Sequence, residues 1–207
     1  MKCLVIGNSI TTHGKCSYWW SNAGIAASDE LHDYFHIVKN YIDNCKKNTK
    51  SFVYAYNYYA WEVQALDRDE TFSLLDKYLD YDLDLVIIQL GENVIDVTTY
   101  ESDFISLVNY IKNRCPRCRV FIIGDFWYSD DRREIKREIA KKSKSIYISL
   151  TDIQNREDFM CGMNTEVYGD DGEIHKITHA GVAKHPNDRA MEYIAEKIIS
   201  RIKICGL

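Results

Sequence analysis

Residues 2–9 read Lys-Cys-Leu-Val-Ile-Gly-Asn-Ser. This short apolar run predicts a buried β-strand that ends in a glycine turn and a serine. The hydroxyl of Ser9 is therefore expected at the carboxyl end of the strand, where open α/β sheets hold their ligands. A helix directly after the serine would aim its free N–H groups and the positive end of its dipole at anything bound there.

Strand and helix signals alternate along the rest of the chain. Runs rich in valine, isoleucine, tyrosine and phenylalanine predict strands at 2–6, 51–56, 84–90, 118–123 and 145–150. Helical periodicity predicts helices at 30–46, 101–113, 131–142 and 187–203. This alternation indicates an α/β fold, with a parallel sheet, helices on both faces and right-handed crossovers.

Length and composition limit the class of protein. The 207 residues, 46% of them hydrophobic, include only two prolines and no linker-like tract, so we expect one domain over 1–207. A net charge of −5 argues against a nucleic-acid partner, because phosphate binding needs a basic surface. Seven cysteines do not suggest a secreted disulfide framework. The first strand begins at Met1 and the apolar runs are short, so we expect a cytoplasmic protein without a membrane partner.

Two further motifs occupy places that match the first. A second buried strand ends in Gly91-Glu92-Asn93, and His185-Pro186-Asn187-Asp188 precedes the last amphipathic helix. With Gly7-Asn8-Ser9-Ile10, these motifs resemble those of the SGNH hydrolases, also called GDSL-like esterases, over nearly the whole chain. The resemblance implies a flavodoxin-like three-layer α/β/α sandwich whose five parallel strands are ordered 2-1-3-4-5.

The resemblance also implies roles for three residues. Ser9 would be the nucleophile, His185 the general base, and Asn93 an oxyanion donor together with the main-chain N–H of Ser9. A serine hydroxyl is a poor nucleophile unless an imidazole accepts its proton, so Ser9 and His185 form the indispensable pair. No cofactor and no metal is implied.

The sequence departs from the family pattern in two places. Val182 stands where an aspartate normally lies three residues before the histidine. Residues 53–62, which correspond to the second conserved block of the family, lack the glycine whose N–H serves the oxyanion. Any residue except proline in 57–62 can supply that N–H. The candidate acids are Asp170, Asp171 and Glu173, followed by Asp188, which is placed to cap the final helix. A backbone carbonyl, or a dyad with no acid, is the alternative.

Polar and aromatic residues near the carboxyl ends of the strands are candidates for substrate binding. Aromatic rings with a polar edge suit a sugar-binding wall, but several can instead be core or lid packing. His13 is as compatible with a plain surface position as with a pocket. The candidate substrate-binding residues are Asn8, His13, Trp19, Trp20, Asn57, Trp61, Gly91, Glu92 and Trp127.

Other histidine and cysteine patterns carry weaker signals. His175 competes with His185 for the catalytic role, but only His185 precedes Pro-Asn and a helix. His175 and His179 more naturally belong to an irregular segment, 161–184, that could fold over the site. Their spacing matches no metal-binding pattern, and Cys115 and Cys118 lack a second pair for zinc.

The sequence therefore predicts a serine esterase that hydrolyses short acyl esters, foremost O-acetyl groups on a carbohydrate, through a Ser9 acyl-enzyme. The partner would be a small-molecule or oligosaccharide ester, and the oligomeric state is left open. An O-acyltransferase would use the same acyl-enzyme. A carbohydrate-binding or scaffold protein that has lost activity is the alternative from a different class, supported by Val182 and the glycine-free second block.

Overall fold

Five parallel strands form the central sheet of the protein, whose computed structural model describes residues 1–45, 51–63, 67–79 and 82–207. Their order is β2-β1-β3-β4-β5, and Val5 at the centre pairs with Ala55 on one side and Ile87 on the other. The strands are β1 (Lys2–Gly7), β2 (Phe52–Asn57), β3 (Leu85–Gln89), β4 (Arg119–Ile123) and β5 (Ile146–Ile148). The predicted α/β fold and strand order are confirmed.

Alternate residues of β1 face opposite sides of the sheet, as the pleat of a strand requires. Cys3 and Val5 join an apolar cluster on one side, and Leu4 and Ile6 join a second cluster on the other. All four side chains are fully buried. A strand that is apolar on both faces must be covered on both, which explains the uninterrupted apolar run in the sequence.

Helices cover both faces of the sheet. The α-helices are α1 (Tyr34–Cys45), α2 (Tyr59–Val63), α3 (Tyr100–Arg114), α4 (Asp130–Lys142), α5 (Ala180–Ala183) and α6 (Asp188–Ile204). Short 3₁₀ helices lie at Glu30–His32, Arg68–Leu75 and Glu157–Phe159. Helices α1 and α6 cover one face of the sheet, whereas α3 and α4 cover the other. Within the described ranges, none of the helices is both long and apolar enough to cross a membrane.

The helix predicted over 30–46 is interrupted at Asp33, and residue 46 lies outside the described residues. Asp33 is buried with extended backbone dihedral angles. Its carboxylate accepts hydrogen bonds from the main-chain N–H groups of Gly24 at 3.0 Å and His36 at 2.6 Å. The side chain therefore satisfies a donor in the first turn of α1 and fixes the start of that helix at Tyr34.

Segment 161–184, predicted to be irregular, contains a β-hairpin and a helical turn. Strands β6 (Glu166–Tyr168) and β7 (Ile174–Lys176) pair antiparallel, and α5 follows them. Val167 and Val182 bury their side chains against Trp19 in a third apolar cluster. Strands of three residues are too short to show a periodicity in the sequence, so the prediction of irregular structure was wrong.

Candidate active site

A tight turn places Ser9 at the carboxyl end of β1. The carbonyl of Asn8 accepts hydrogen bonds from the N–H groups of Thr11 and Thr12, at 3.0 and 3.1 Å. A side chain at Gly7 would put its Cβ within 1.8 Å of the Thr11 hydroxyl, so the turn requires glycine there. The helix expected directly after Ser9 does not form, because the turn closes back on Asn8. The next helical residues that the structure describes begin at Glu30.

The structure brings Ser9 and His185 together although 176 residues separate them. The Oγ atom of Ser9 lies 2.9 Å from Nε2 of His185. Both side chains are partly exposed to solvent, as a reacting pair must be. This contact is the geometry in which an imidazole can take the serine proton.

The other ring nitrogen of His185 contacts the main chain. Its Nδ1 lies 2.9 Å from the carbonyl oxygen of Gly181, in α5. A carbonyl can only accept, so Nδ1 carries the proton and Nε2 presents its lone pair to Ser9. The Gly181 carbonyl thus selects the tautomer that a general base needs, which is one of the tasks of the carboxylate in a serine-histidine-acid triad.

The predicted carboxylate partner of His185 was wrong. Asp171 pairs with Nε2 of His175 at 2.9 Å, and Asp170 accepts a hydrogen bond from the side chain of Asn22 at 2.7 Å. Glu173 is exposed on the turn of the hairpin. Asp188 accepts from the main-chain N–H of Ser28 at 2.7 Å. The main-chain alternative is the one that the structure contains.

We therefore expect amide substitutions of the three upstream acids to leave activity nearly unchanged. Asp170→Asn, Asp171→Asn and Glu173→Gln should each keep kcat/KM for an acetyl ester within about threefold, because none of these carboxylates touches the imidazole. Steady-state kinetics of the three purified variants checks this. A loss of about 100-fold in any one of them would restore that residue as the acid.

Asn93 and Ser9 share one cavity of about 410 Å³. His13, Tyr18, Asn57 and Tyr59 line the remainder of it. Among the described residues, no oxygen accepts a hydrogen bond from the main-chain N–H of Ser9, so this donor is available to a ligand. The serine N–H and the Asn93 amide are thus placed on the cavity that a developing oxyanion would occupy.

The second block keeps several of its N–H groups occupied. Tyr58 donates to the carbonyl of Gly7 at 2.6 Å, and Trp61 donates to the carbonyl of Tyr58 at 3.0 Å. The Tyr59 N–H donates to the side chain of Asn57 at 3.0 Å, and that side chain in turn donates to the carbonyl of Thr12 at 2.7 Å. Asn57 therefore fixes the cavity wall, and these three N–H groups do not provide the predicted third oxyanion donor.

Asn8 is buried beneath the site and does not reach the cavity. Its Nδ2 atom donates to Glu62 at 3.1 Å and to Glu92 at 2.9 Å, while its Oδ1 accepts from the N–H of Ile10 at 3.0 Å. All its polar atoms are used within the protein. The prediction that Asn8 binds substrate was wrong.

Gly91 and Glu92 also make contacts within the protein. Gly91 has a φ of +134° and donates its N–H to Glu62. The Glu92 carboxylate accepts from Asn8, from the side chain of Gln89 at 2.6 Å and from the N–H of Phe126 at 3.1 Å. Burial, together with the negative charge of Asp125, raises the pKa of Glu92 to about 7. Gly91 is buried, so the prediction that it binds substrate was wrong, whereas Glu92 is not fully buried and its part in substrate binding stays a prediction.

The four tryptophans occupy different surroundings: two lie in the core, one stacks on His175 and one lies beside His185. Trp19 and Trp61 are 1% and 0% exposed, so the prediction that they form a sugar-binding wall was wrong. A ring of this size gains most from full burial, and Trp61 packs edge-on against Phe104. Trp20 does not line the cavity, because its ring stacks on His175 at 4.3 Å.

Trp127 lies beside the candidate base. Its ring meets the ring of His185 at 85°, with the centroids 4.9 Å apart, and its Nε1 donates to the carbonyl of Lys184 at 3.1 Å. Tyr18 was not predicted as a site residue, yet it lines the cavity and stacks on His179 at 4.6 Å. Its position at the start of the aromatic run Tyr18-Trp19-Trp20 is the signal that could have identified it.

Burial makes His185 a base that stays neutral well into the acid range. It lowers the pKa of His185 to about 4, and the nearby rings of His13 and His179 act in the same direction. The Gly181 carbonyl opposes the shift by accepting the Nδ1 proton. Over the described part of the chain, no three histidine, cysteine or acidic side chains are grouped to hold a metal ion.

No protein-family model and no curated protein matches the sequence. Solved structures do match the fold. A protein from Parabacteroides merdae, solved as a GDSL-like lipase, superposes with a TM-score of 0.62 at 16% identity, covering 96% of this chain and 94% of that one. A two-domain esterase active on acetylated mannans gives a TM-score of 0.62 at 15% identity, covering 98% of this chain.

A family two carbohydrate esterase from Clostridium thermocellum, solved with cellohexaose, gives a TM-score of 0.54 at 17% identity and covers 98% of this chain. This chain spans 63% of the length of that enzyme and 49% of the mannan esterase. The superpositions show a common fold. At sequence identities this low, a common fold does not establish a common activity. The chain has the fold of the SGNH hydrolases.

Proposed function

We propose that the protein is a serine esterase. The observation that supports this most directly is the 2.9 Å contact between Ser9 Oγ and His185 Nε2, with Nδ1 of the same ring on the Gly181 carbonyl. A nucleophile, a base and a group that orients the base are the three parts that covalent acyl transfer needs. The esterases and lipases that share the fold support the same reading.

In the proposed reaction, Ser9 Oγ attacks the ester carbonyl carbon while its proton passes to His185 Nε2. Asn93 and the Ser9 N–H donate to the resulting oxyanion. As that intermediate collapses, His185 returns the proton to the leaving alkoxide, and the acyl group remains on Ser9. A water molecule, deprotonated by His185, then attacks the acyl-enzyme and releases the carboxylic acid and the free serine.

The cavity suggests the class of substrate. Its lining is polar and aromatic, with an imidazole, two phenols and two amides around the serine. Hydroxyl-rich rings match such a lining, because polar edges accept and donate hydrogen bonds while tyrosine rings offer flat apolar faces. Two proteins of this fold were solved with an oligosaccharide, and one of them is an esterase active on acetylated mannans. We therefore propose short acyl esters of carbohydrates, O-acetyl groups first.

A fluorophosphonate probe tests the proposal without a known substrate, because it reacts only with an activated serine. We expect a single adduct that peptide mapping places on Ser9, together with turnover of a chromogenic acetyl ester. Absence of an adduct on Ser9 in folded protein would refute the esterase proposal. An adduct without turnover of acetyl, butyryl or acetylated-sugar esters would refute the substrate class alone.

The low pKa of His185 predicts the pH dependence of this reaction. The base must be unprotonated. As the pH is lowered from neutral, kcat/KM should therefore stay constant until the pH approaches the pKa, and it should fall to half of its maximum near pH 4. An imidazole with its ordinary pKa would give the midpoint near 6.5 instead. Initial rates between pH 3.5 and 8, at substrate concentrations well below KM, separate the two values. A midpoint at 6 or above would contradict the assignment of His185 as the buried base.

A further inference from the structure

Glu62 is a buried carboxylate that no sequence motif singles out. It lies in the short helix α2 and is 1% exposed. Its side chain reaches two other segments: the turn after β1, through Asn8, and the loop that follows β3, through Gly91 and Asn93. A carboxylate is rarely buried to this extent unless donors surround it.

Among the described residues, the partners of the Glu62 carboxylate are hydrogen-bond donors. Oε2 accepts from the side-chain amide of Asn93 at 2.6 Å. Oε1 accepts from the side-chain amide of Asn8 at 3.1 Å and from the main-chain N–H of Gly91. The two oxygens of a carboxylate offer about four lone-pair sites, so they can accept from all of these groups at once.

The contact with Asn93 leaves half of that amide for the substrate. An asparagine side chain has two N–H groups on one nitrogen, and Glu62 takes one of them. Rotation of the amide by 180° would present its Oδ1 to the carboxylate and repel it, so Glu62 also fixes which atom of Asn93 faces the cavity. No acceptor among the described residues takes the second N–H, and Asn93 lines the same cavity as Ser9.

We propose that Glu62 is the positioning residue of the oxyanion site: it orients the Asn93 amide from beneath and does not touch substrate. The inference rests on the proposed esterase function and adds the residue that makes Asn93 a preorganised donor. Preorganisation is what gives such donors their effect, because no reorientation is then needed as charge develops.

The surroundings explain how a second negative charge is tolerated so near a developing oxyanion. Asn8 lies between Glu62 and Glu92 and donates to both. Behind them, Asp125 is paired with buried Lys136 and with Arg132, the latter at 2.8 Å. These two cations, with a Glu92 that binds a proton near neutral pH, keep the summed charge of the cluster low. An aspartate at position 8 would bring three carboxylates into contact.

Glu62→Gln is the sharpest test, because it keeps the shape and changes one acceptor oxygen into a donor. The new NH₂ must oppose either Asn93 or the pair formed by Asn8 and Gly91. We expect kcat for an acetyl ester to fall roughly 10- to 100-fold with KM changed less than about threefold, since the lost interaction acts in the transition state. Glu196→Gln, on the exposed face of α6, removes the same charge and should keep kcat.

A double-mutant cycle shows whether Glu62 acts through Asn93. Asn93→Ala alone should lower kcat about 100-fold or more, and Glu62→Gln should cost nothing further in that background. If the two losses multiply, or if folded Glu62→Gln keeps wild-type kcat, the inference is overturned. Melting temperatures establish folding. If Glu62→Gln does not fold, Glu62→Asp replaces it in the cycle, because it keeps the charge but withdraws the carboxylate from Asn93.

Labelling of Ser9 separates this inference from the proposed function. A wild-type protein that the fluorophosphonate does not label would remove the esterase proposal and the role of Glu62 with it. A labelled, active wild type with multiplicative losses in the cycle would leave the esterase standing and reject Glu62 as the group that orients Asn93.

Discussion

Replacing Ser9 with alanine should abolish turnover of a chromogenic acetyl ester and labelling by a fluorophosphonate while leaving the protein folded. The Oγ atom forms the bond to the acyl carbon, so its removal should cost on the order of 10⁶ in kcat. Its Oγ lies 2.9 Å from His185 Nε2, and the hydrogen bond that its carbonyl accepts from the N–H of Ile25 at 2.8 Å survives the change. Assays with long incubation times measure the residual turnover, and a thermal melt checks that the variant is folded.

Ser149→Ala is a matched control for this experiment. Ser149 lies just after β5 and its hydroxyl contacts Thr151 at 2.9 Å, away from the cavity. We expect this variant to react with the probe and with the ester as the wild type does. Turnover at the wild-type rate by folded Ser9→Ala protein would end the serine-hydrolase proposal.

Replacing His185 with alanine should be nearly as damaging, and the two losses should not add. In the part of the chain that the structure describes, no other base is hydrogen-bonded to Ser9 Oγ, so without this imidazole kcat should again fall on the order of 10⁶-fold. The Ser9→Ala, His185→Ala double variant should be no slower than either single variant, because serine and histidine act as one unit. Kinetics of all three proteins, at one enzyme concentration, provides the comparison.

His175→Ala distinguishes the catalytic histidine from its competitor in the sequence. His175 pairs with Asp171 and stacks on Trp20, so its loss should leave kcat within about threefold of wild type. A large loss of kcat in folded His175→Ala, with activity retained in His185→Ala, would reverse the assignment.

The sheet could be predicted because its signal is local and repeated. In β1, Cys3 and Val5 face one layer while Leu4 and Ile6 face the other, and β3 and β4 show a similar apolar run. The final helix was equally readable, since Asn187 caps it by accepting from the N–H of Ala190 at 3.0 Å. The strand order came from the resemblance to a family, and the structure has that order.

The parts of the site that the sequence did not reveal are those without a residue-type signal. A main-chain carbonyl exists at every residue, so nothing in the letters marks Gly181 as the partner of His185. Glu62 follows Trp61 in a stretch of tyrosines, where a carboxylate is expected to be exposed; its burial is explained only by the donors that the turn after β1 and the loop after β3 bring to it. The predictions for Trp19 and Trp61 were wrong for the opposite reason. Their residue type does carry a signal, but a large ring near a strand end fits a core as well as a binding wall.

The Gly181 carbonyl has a consequence for how this site can be altered by mutation. A carboxylate that orients a histidine can be lost through one codon change, whereas no amino-acid substitution removes a peptide oxygen. The orientation of the His185 ring depends instead on the conformation of the turn from His179 to His185. In that turn His179 caps α5 by accepting from the Val182 N–H at 3.3 Å. A Cβ added at Gly181 would meet the His179 ring at 2.9 Å. Selection would therefore act on the packing of this turn, and engineering of the base would have to reshape its backbone.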